Sequence, residues 1–262
     1  MNSIAKALLV AVSMLSATAT AANNELCEPK AYEMALRYQQ KSAEIMALQL
    51  QTYRFATGRF DEKVKDLKTP ENYAVVMDLD ETVLDNTPLL VRDMEQCHDY
   101  TQWDTRSDWE KQGKPGLIPG AKAFLEHVNQ SKVRIYYVSD RMQENKADTI
   151  KTLKSLGLPQ VSDDSVLLDT VSKEERRQSI LKKQQIIMLF GDSLPDFAVQ
   201  FKNKNRVSSS ASWLRQAQSI LAMTGLCCLM PLMAHGLKPR RTAGSRNNLP
   251  AGHGIAVARP TH

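Results

Sequence analysis

Acidic side chains are missing from the last part of this chain, since residues 206–262 contain no Asp or Glu. Seven of the 34 basic residues lie there, which leaves 27 basic and 29 acidic side chains in the preceding 205 residues. The formal net charge of +5 therefore comes from the tail. Because the rest of the chain has a slight acidic excess, we expect no nucleic-acid polymer among its partners.

A long apolar run is missing from the N-terminal region, where the apolar stretch from Ala7 to Ala17 is too short to cross a membrane. The stretch follows Lys6 and precedes Ala19-Thr20-Ala21, which fits a small-residue cleavage site. We therefore expect residues 1–21 to be a signal peptide. The mature protein would be periplasmic or secreted, with no stable membrane anchor. A buried N-terminal helix is the alternative interpretation.

Cysteine is scarce, and the four that occur are Cys27, Cys97, Cys227 and Cys228. Export would permit a disulfide bond. The sequence leaves two possibilities equally open for Cys27 and Cys97, which could form a bond or remain two unpaired thiols.

Glycine is absent from residues 28–56, which are rich in Ala, Met, Leu, Gln, Glu and Lys. This composition predicts a long N-terminal helix that ends near Gly58. Five side chains at helical spacing predict its buried face, namely Ala31, Met34, Tyr38, Ile45 and Leu48.

Four short apolar runs predict buried strands at residues 73–78, 133–138, 166–168 and 186–190. Helices are predicted between them, and the last begins at a capping box formed by Ser172 and Glu175. This alternation predicts an α/β domain over residues 22–205, a doubly wound parallel sheet with an N-terminal helix. Residues 83–118 lack clean periodicity, and we interpret them as a small cap insertion over the active site.

Acidic segments follow two of the predicted strands. Asp78-Leu79-Asp80-Glu81-Thr82 comes after the first strand, and Gly191-Asp192 comes after the fourth. Open α/β sheets bind their ligands at the carboxyl ends of their strands. Several acids that meet at one place repel each other unless a cation lies between them, and hard oxygen ligands suit Mg²⁺. The sequence therefore predicts a magnesium site at this edge of the sheet.

Four segments, taken in order, resemble the motifs of the haloacid dehalogenase-like phosphohydrolases. They are Asp78-Leu79-Asp80-Glu81-Thr82, Ser139, Lys173 and Asp192. Their surroundings are more similar still to the bacterial class C acid phosphatases, relatives of the outer-membrane lipoprotein e, a 5'-nucleotidase and acid phosphatase. The resemblance extends from about residue 30 to about residue 205.

This resemblance implies an exported, Mg²⁺-dependent acid phosphatase that hydrolyses phosphate monoesters through an aspartyl-phosphate. Asp78 would be the nucleophile, and Asp80 would be the general acid and base. Ser139 and Lys173 would stabilise charge on the phosphoryl group. Mg²⁺ would be held by the Asp78 carboxylate, the backbone carbonyl of Asp80 and Asp192.

Four further residues are candidates for binding the substrate: Thr82, Arg141, Trp103 and Trp109. The two tryptophans could stack on a nucleobase or another flat leaving group, and packing within the insertion is the alternative. Asp140 stands where the family has Asn, so we expect its charge to weaken phosphate binding.

Alternative roles remain open for three residues, and alternative functions remain open for the protein. Asp192 could cap the following helix, and Ser139 could be a plain helix N-cap. Asp196 fits equally well as a residue supporting the metal site and as a solvated helix acid. The expected partner is a small phosphate monoester, with nucleoside monophosphates as one candidate class. A catalytically impaired phosphate- or nucleotide-binding protein of the same fold and a phosphotransferase are the alternative functions.

Residues 206–262 do not fit the pattern of the preceding domain, and Cys227, Cys228, Met230 and Met233 crowd together there. Members of the family continue with another strand. We therefore interpret this segment as an aberrant tail, produced by a reading-frame shift near residues 205–210. Such a shift would remove one strand and expose an edge of the sheet. A genuine divergent tail is the alternative.

We predict that the coding sequence for Ser219 to Gly236, read from its third base, encodes a segment similar to the missing strand. One permitted reading is His-Phe-Gly-Asp-Asp-Trp-Phe-Val-Leu-Pro-Asn-Ala-Ala-Tyr-Gly-Ser-Trp. Its Asp, Ala and Gly are forced at three junctions, Met223–Thr224, Met230–Pro231 and Met233–Ala234. Resequencing the gene tests the idea, and an unbroken reading frame in independent reads would contradict it.

Overall fold

The computed structural model of the chain describes residues 27–99, 104–199 and 225–227. The expected signal peptide, Trp103 and most of the tail lie outside these residues. The strands are β1 (Tyr73–Met77), β2 (Leu84–Asp85), β3 (Gly116–Leu117), β4 (Arg134–Met142), β5 (Val166–Asp169), β6 (Gln185–Gly191) and β7 (Gly225–Cys227). The α-helices are α1 (Glu33–Lys41), α2 (Ala43–Val64), α3 (Thr87–Glu95), α4 (Arg106–Gln112), α5 (Ala121–Gln130), α6 (Lys146–Ser155) and α7 (Lys173–Leu181).

Five strands form a parallel sheet in the order β5-β4-β1-β6-β7, and β2 and β3 form a separate antiparallel pair. Successive side chains of β1 point to opposite faces of the sheet. Val75 and Met77 join a large core that contains side chains of α2, α5 and α6, whereas Ala74 and Val76 join a smaller core with Ile180 of α7. Helices therefore cover both faces, which confirms the doubly wound α/β fold.

The prediction of one N-terminal helix is wrong, because the segment forms two helices, α1 and α2. They are separated by Ser42, which is extended (ψ 130°) and whose hydroxyl accepts the N–H of Glu44 at 3.1 Å. The predicted end near Gly58 is also wrong, since α2 continues to Val64. The predicted buried face is wrong except for Ile45, since Ala31, Met34, Tyr38 and Leu48 are exposed. In the described part of the chain, no helix is both long and apolar enough to cross a membrane.

Strand β4 is longer than the strand predicted at residues 133–138. It continues past Val138 to Met142, so Ser139 and Arg141 belong to the strand itself. Pairing with β5 shifts register between Val138 and Met142, as expected where a strand is irregular. The interpretation of Ser139 as a helix N-cap is therefore wrong, because the next α-helix begins only at Lys146.

The start of α7 is confirmed as predicted. The Ser172 hydroxyl accepts the N–H of Glu175, and the Glu175 carboxylate accepts the N–H of Ser172. This capping box fixes the first helical residue, which is Lys173.

The last three residues of β6 do not form an exposed edge of the sheet. Gly225–Cys227, within the predicted aberrant tail, pairs in parallel with Leu189–Gly191. The expectation of an exposed edge is therefore wrong for this stretch, because a tail segment supplies the missing backbone partners.

A disulfide bond joins Cys27 to Cys97, which decides between the two possibilities that the sequence left open. The bond links the start of the described chain to the segment that follows α3, across a separation of 70 residues. Beside it, Leu36 of α1 packs against Leu90 of α3 in a small separate core. The bond and this small core together hold the N-terminal helices against the predicted insertion.

We expect Cys97→Ser to destabilise the protein, because the bond closes a long loop in the unfolded chain. A loop of this length is typically worth about 2–4 kcal/mol, or roughly 5–15 °C in Tm. Thermal unfolding of the wild type with and without reductant is the matched control. Reductant should lower the Tm of the wild type and leave that of the variant unchanged, and an equal Tm for both oxidised proteins would contradict the prediction.

Candidate active site

The site lies where β1 and β6 end. The N–H of Asp78 donates to the carbonyl of Phe190 at 3.0 Å, so the pairing of the two strands continues into the first acidic segment. Asp78 and Asp80 are buried, and Leu79 between them points into the large core. Glu81 then turns the chain with a positive φ of 61°, a conformation that costs free energy and is often found at functional sites.

The nucleophile candidate is held by neighbours from three elements. Lys173 at the start of α7 reaches Asp78 Oδ1 with its Nζ at 2.6 Å, and the Thr82 hydroxyl donates to Asp78 Oδ2 at 3.0 Å. The Tyr53 hydroxyl of α2 donates to the Thr82 carbonyl at 2.6 Å, which stabilises the turn that contains Glu81 and Thr82. Thr82, predicted to bind substrate, is buried and contacts Asp78 instead of facing outward.

Asp196 completes this half of the site. Its Oδ1 accepts from Lys173 Nζ at 2.6 Å, so one ammonium group bridges Asp196 and Asp78. Its Oδ2 accepts from the N–H and hydroxyl of Ser193 at 3.0 and 2.9 Å. The alternative of a solvated helix acid is wrong, because Asp196 is buried.

Three carboxylates are candidates for holding a metal ion. Asp78, Asp192 and Asp196 each bring an oxygen to within 4.8 Å of the others. Burial raises the pKa of Asp78 to about 7, although Lys173 opposes the shift. Burial and the charges of Asp78 and Asp196 raise the pKa of Asp192 well above its usual range. These carboxyl groups need more positive charge than Lys173 supplies, and a set of hard oxygen donors fits Mg²⁺.

Asp80 lies in a different environment, surrounded by donors. Its Oδ1 accepts from Asn86 Nδ2 at 2.8 Å and from Arg141 Nη2 at 2.8 Å. Its Oδ2 accepts from the Ser139 hydroxyl at 3.1 Å and forms an ion pair with Arg106 Nη2 at 2.7 Å. Burial alone would raise the pKa of Asp80, but Arg141 and Arg106 hold it well below its usual range.

The predicted insertion reaches Asp80 through α4. Arg106 is the first residue of α4, and the Arg106 Nε lies 3.4 Å from Glu110 Oε1. Glu110 Oε2 accepts from Asn145 Nδ2 at 2.8 Å, which ties α4 to the core beside α6. The Trp109 indole N–H donates to Asn86 Oδ1 at 2.7 Å. This residue, predicted to bind substrate, therefore contacts a side chain that donates a hydrogen bond to Asp80.

Arg176 of α7 positions the surrounding strand ends. Arg176 Nη1 donates to the carbonyls of Ser139 and Leu167 at 2.5 and 3.1 Å, and its Nη2 donates to Asp140 Oδ1 at 2.7 Å. Lys173 Nζ lies 3.8 Å from Asp140 Oδ2. The charge of Asp140 is therefore partly balanced by two cations, and its effect on phosphate binding stays a prediction.

The structure brings together most of the residues predicted from the sequence. Two groups form, one around Asp78 and one around Asp80, with the members Thr82, Ser139, Arg141, Lys173 and Asp192. Sequence analysis missed Arg106, Glu110 and Asn86. Their signals were present but weak: Arg106 and Glu110 have the four-residue spacing of a helical ion pair, and Asn86 closes the first acidic segment.

Comparisons with known proteins agree with the fold. A family model described as haloacid dehalogenase (HAD) superfamily, subfamily IIIB (acid phosphatase), matches residues 2–218. The fold is similar to that of the class C acid phosphatase from Bacillus anthracis, with a TM-score of 0.71, 27% identity and coverage of 78% of this chain and 86% of that one. A structure of a class C acid phosphatase from the same organism with tungstate bound gives 0.71, 28%, 78% and 85%.

We predict that Gly191→Ala lowers activity by at least about tenfold, an effect that a 1 Å displacement of a catalytic group can produce. A Cβ at position 191 would overlap the Asp196 side chain, with Cγ only 2.7 Å away. Asp196 would then be pushed off Lys173. Steady-state rates and Mg²⁺ titration of the variant measure the effect.

Gly58→Ala is the matched control, because a Cβ at position 58 of α2 meets no atom within 4 Å. We expect it to keep full activity and to gain stability of about 0.5–1 kcal/mol from helix propensity. Wild-type rates and metal affinity in Gly191→Ala would contradict the role given to Asp196.

Proposed function

Because this chain belongs to the acid phosphatases of HAD subfamily IIIB and is a phosphoric monoester hydrolase, we propose that it is an exported, Mg²⁺-dependent enzyme with an aspartyl nucleophile. One observation carries the proposal. A single ammonium group, Lys173 Nζ, bridges Asp78 and Asp196 at 2.6 Å each, while Asp80 stands in a separate group of donors. The two carboxylates of the first motif therefore have the different surroundings that two different chemical roles require.

In the first step, an oxygen of Asp78 attacks phosphorus and the bond from phosphorus to the leaving oxygen breaks. The leaving oxygen keeps the electron pair and takes a proton from Asp80. In the second step, water attacks the aspartyl-phosphate and gives its proton to Asp80, and the Asp78–phosphorus bond breaks to release inorganic phosphate. Ser139 donates to a phosphoryl oxygen, and Lys173 balances the charge that develops there.

Phosphate monoesters hydrolyse very slowly without a catalyst, so the site must lower the barrier by on the order of 20 kcal/mol. No single contact supplies this much, and the carboxylates, Ser139 and Lys173 must act together. Asp78, Asp192 and the backbone carbonyl of Asp80 would hold Mg²⁺, with Asp196 as a further carboxylate beside it. The bound ion would neutralise charge on the phosphoryl group.

The proposed substrates are small phosphate monoesters, including nucleoside monophosphates. Tungstate bound to the similar Bacillus anthracis enzyme supports a site that accepts a tetrahedral oxyanion. Trp109 offers an aromatic side chain beside Asn86 on the insertion side, which is the proposed place for the leaving group. Packing also explains this ring, since a Cβ on Gly113 would lie 2.6 Å from its Cε3.

Export to the periplasm or beyond is part of the same proposal. It is supported by the signal-like residues 1–21 and by the Cys27–Cys97 bond, since disulfides persist in oxidising compartments.

We predict that chelator treatment abolishes the hydrolysis of an aryl phosphate and that Mg²⁺ restores it. In Asp78→Asn, Mg²⁺ should restore nothing, because the nucleophile is missing and rates should fall by roughly 10³-fold or more. Phosphate release measured with and without each ion checks both expectations, and Ca²⁺ at equal concentration tests the choice of metal.

Asp66→Asn is the control, since Asp66 is exposed and lies outside the site. Full activity in Asp78→Asn would sink the nucleophile assignment, and full activity after chelation would sink the metal requirement. Phosphate binding with no turnover in the wild type would instead favour the impaired binding protein. Transfer of phosphate to an added alcohol would favour the phosphotransferase.

A further inference from the structure

Two arginines from different parts of the chain meet at one buried carboxylate. Arg141 belongs to β4 in the core of the domain, and Arg106 belongs to α4 in the insertion. Both form ion pairs with Asp80, Arg141 with Oδ1 at 2.8 Å and Arg106 with Oδ2 at 2.7 Å. One guanidinium would be enough to balance the single charge of this carboxylate.

The convergence of donors is of the kind that binds an oxyanion. The hydroxyl of Ser139, the proposed donor to the phosphoryl group, contacts the same Asp80 oxygen as Arg106, at 3.1 Å. Arg106 Nη2 and Ser139 Oγ therefore lie close enough to contact two oxygens of one phosphoryl group. Arginine is well suited to this, because its planar donors match phosphate geometry.

The two arginines differ in how an incoming ligand can reach them. The Arg141 side chain is only 1% exposed, and both its Nε and its Nη2 donate to Asp80. The Arg106 side chain is 14% exposed, and its Nε lies beside Glu110 of the same helix. Arg106 is thus the outer arginine, held by the insertion beside Asp80 and Ser139.

We propose that Arg106 is a substrate-binding residue whose guanidinium contacts the phosphoryl oxygens of the bound monoester. This deepens the proposed function and rests on it. Arg106 Nη2 and Ser139 Oγ both contact Asp80 Oδ2, and these two donors would turn toward the phosphoryl oxygens of the substrate. The bound substrate would then connect α4 of the insertion to the catalytic carboxylates. A purely structural arginine that only neutralises Asp80 is the competing explanation.

Binding of inorganic phosphate to the Mg²⁺-loaded protein tests this directly by calorimetry. We expect Arg106→Gln to weaken phosphate binding by about 10- to 100-fold, since a hydrogen bond to a charged group is lost. Arg106→Lys should lie between this variant and the wild type, because charge remains but the planar donor pair is lost. In steady-state kinetics, KM for an aryl phosphate should rise in the same order.

Arg59→Gln is the matched control, because Arg59 pairs with Glu62 on the surface of α2 and is 39% exposed. It should bind phosphate as the wild type does. Circular dichroism and Tm check that each variant is folded. Unchanged phosphate affinity in a folded Arg106→Gln would overturn the proposal.

A measurement on the wild type does not depend on how the variants fold. Phenylglyoxal modifies arginine, and mass spectrometry locates the modified residues. Phosphate should protect Arg106 and leave Arg59 unprotected, and equal modification of Arg106 with and without phosphate would overturn the proposal. A wild type that shows this protection but no turnover would contradict the proposed function and leave the phosphate contact standing.

Discussion

The structure of the site depends on how buried carboxylates are compensated. Asp78, Asp80, Glu81 and Asp196 are all buried at the ends of β1 and β6. Burying an unpaired charge is costly, so each carboxylate needs a cation, a proton or several hydrogen-bond donors. Lys173 meets this need for Asp78 and Asp196 together. The capping box that fixes the start of α7 is therefore also what places this cation.

The compensation of charge differs between the two carboxylates of the first acidic segment. Burial raises the pKa of Asp78 to about 7, whereas Arg141 and Arg106 hold the pKa of Asp80 well below its usual range. The proposed reaction needs the opposite, a charged nucleophile and a protonated acid. A cation beside Asp78 would lower its pKa, and a phosphoryl group that draws Arg106 away would raise that of Asp80. Binding of metal and substrate would thus shift both pKa values in the direction that the proposed reaction needs.

The sequence predicted the sheet and the members of the site because both depend on local patterns. Apolar runs predicted four of the five strands of the parallel sheet, and acidic segments directly after two of them predicted where the carboxylates meet. The N-terminal helices were predicted less well, because the extended conformation of Ser42 divides the segment and the predicted buried face ran across that break. Arg106 was missed because its meaning depends on the insertion folding back over Asp80, a contact between residues 26 positions apart.

The sequence by itself determined the chemistry available to this protein: two acidic segments, a serine and a lysine in the order of a phosphatase family. Periodicity and strand-end acids carry that information within a few residues, so no long-range contact is needed to recognise it. Only the tertiary structure decided which carboxylate receives which cation, because Lys173 and Asp78 are 95 positions apart. Partners at such distances are selected by packing and by the cost of leaving a buried charge unpaired, and neither is written in a local pattern.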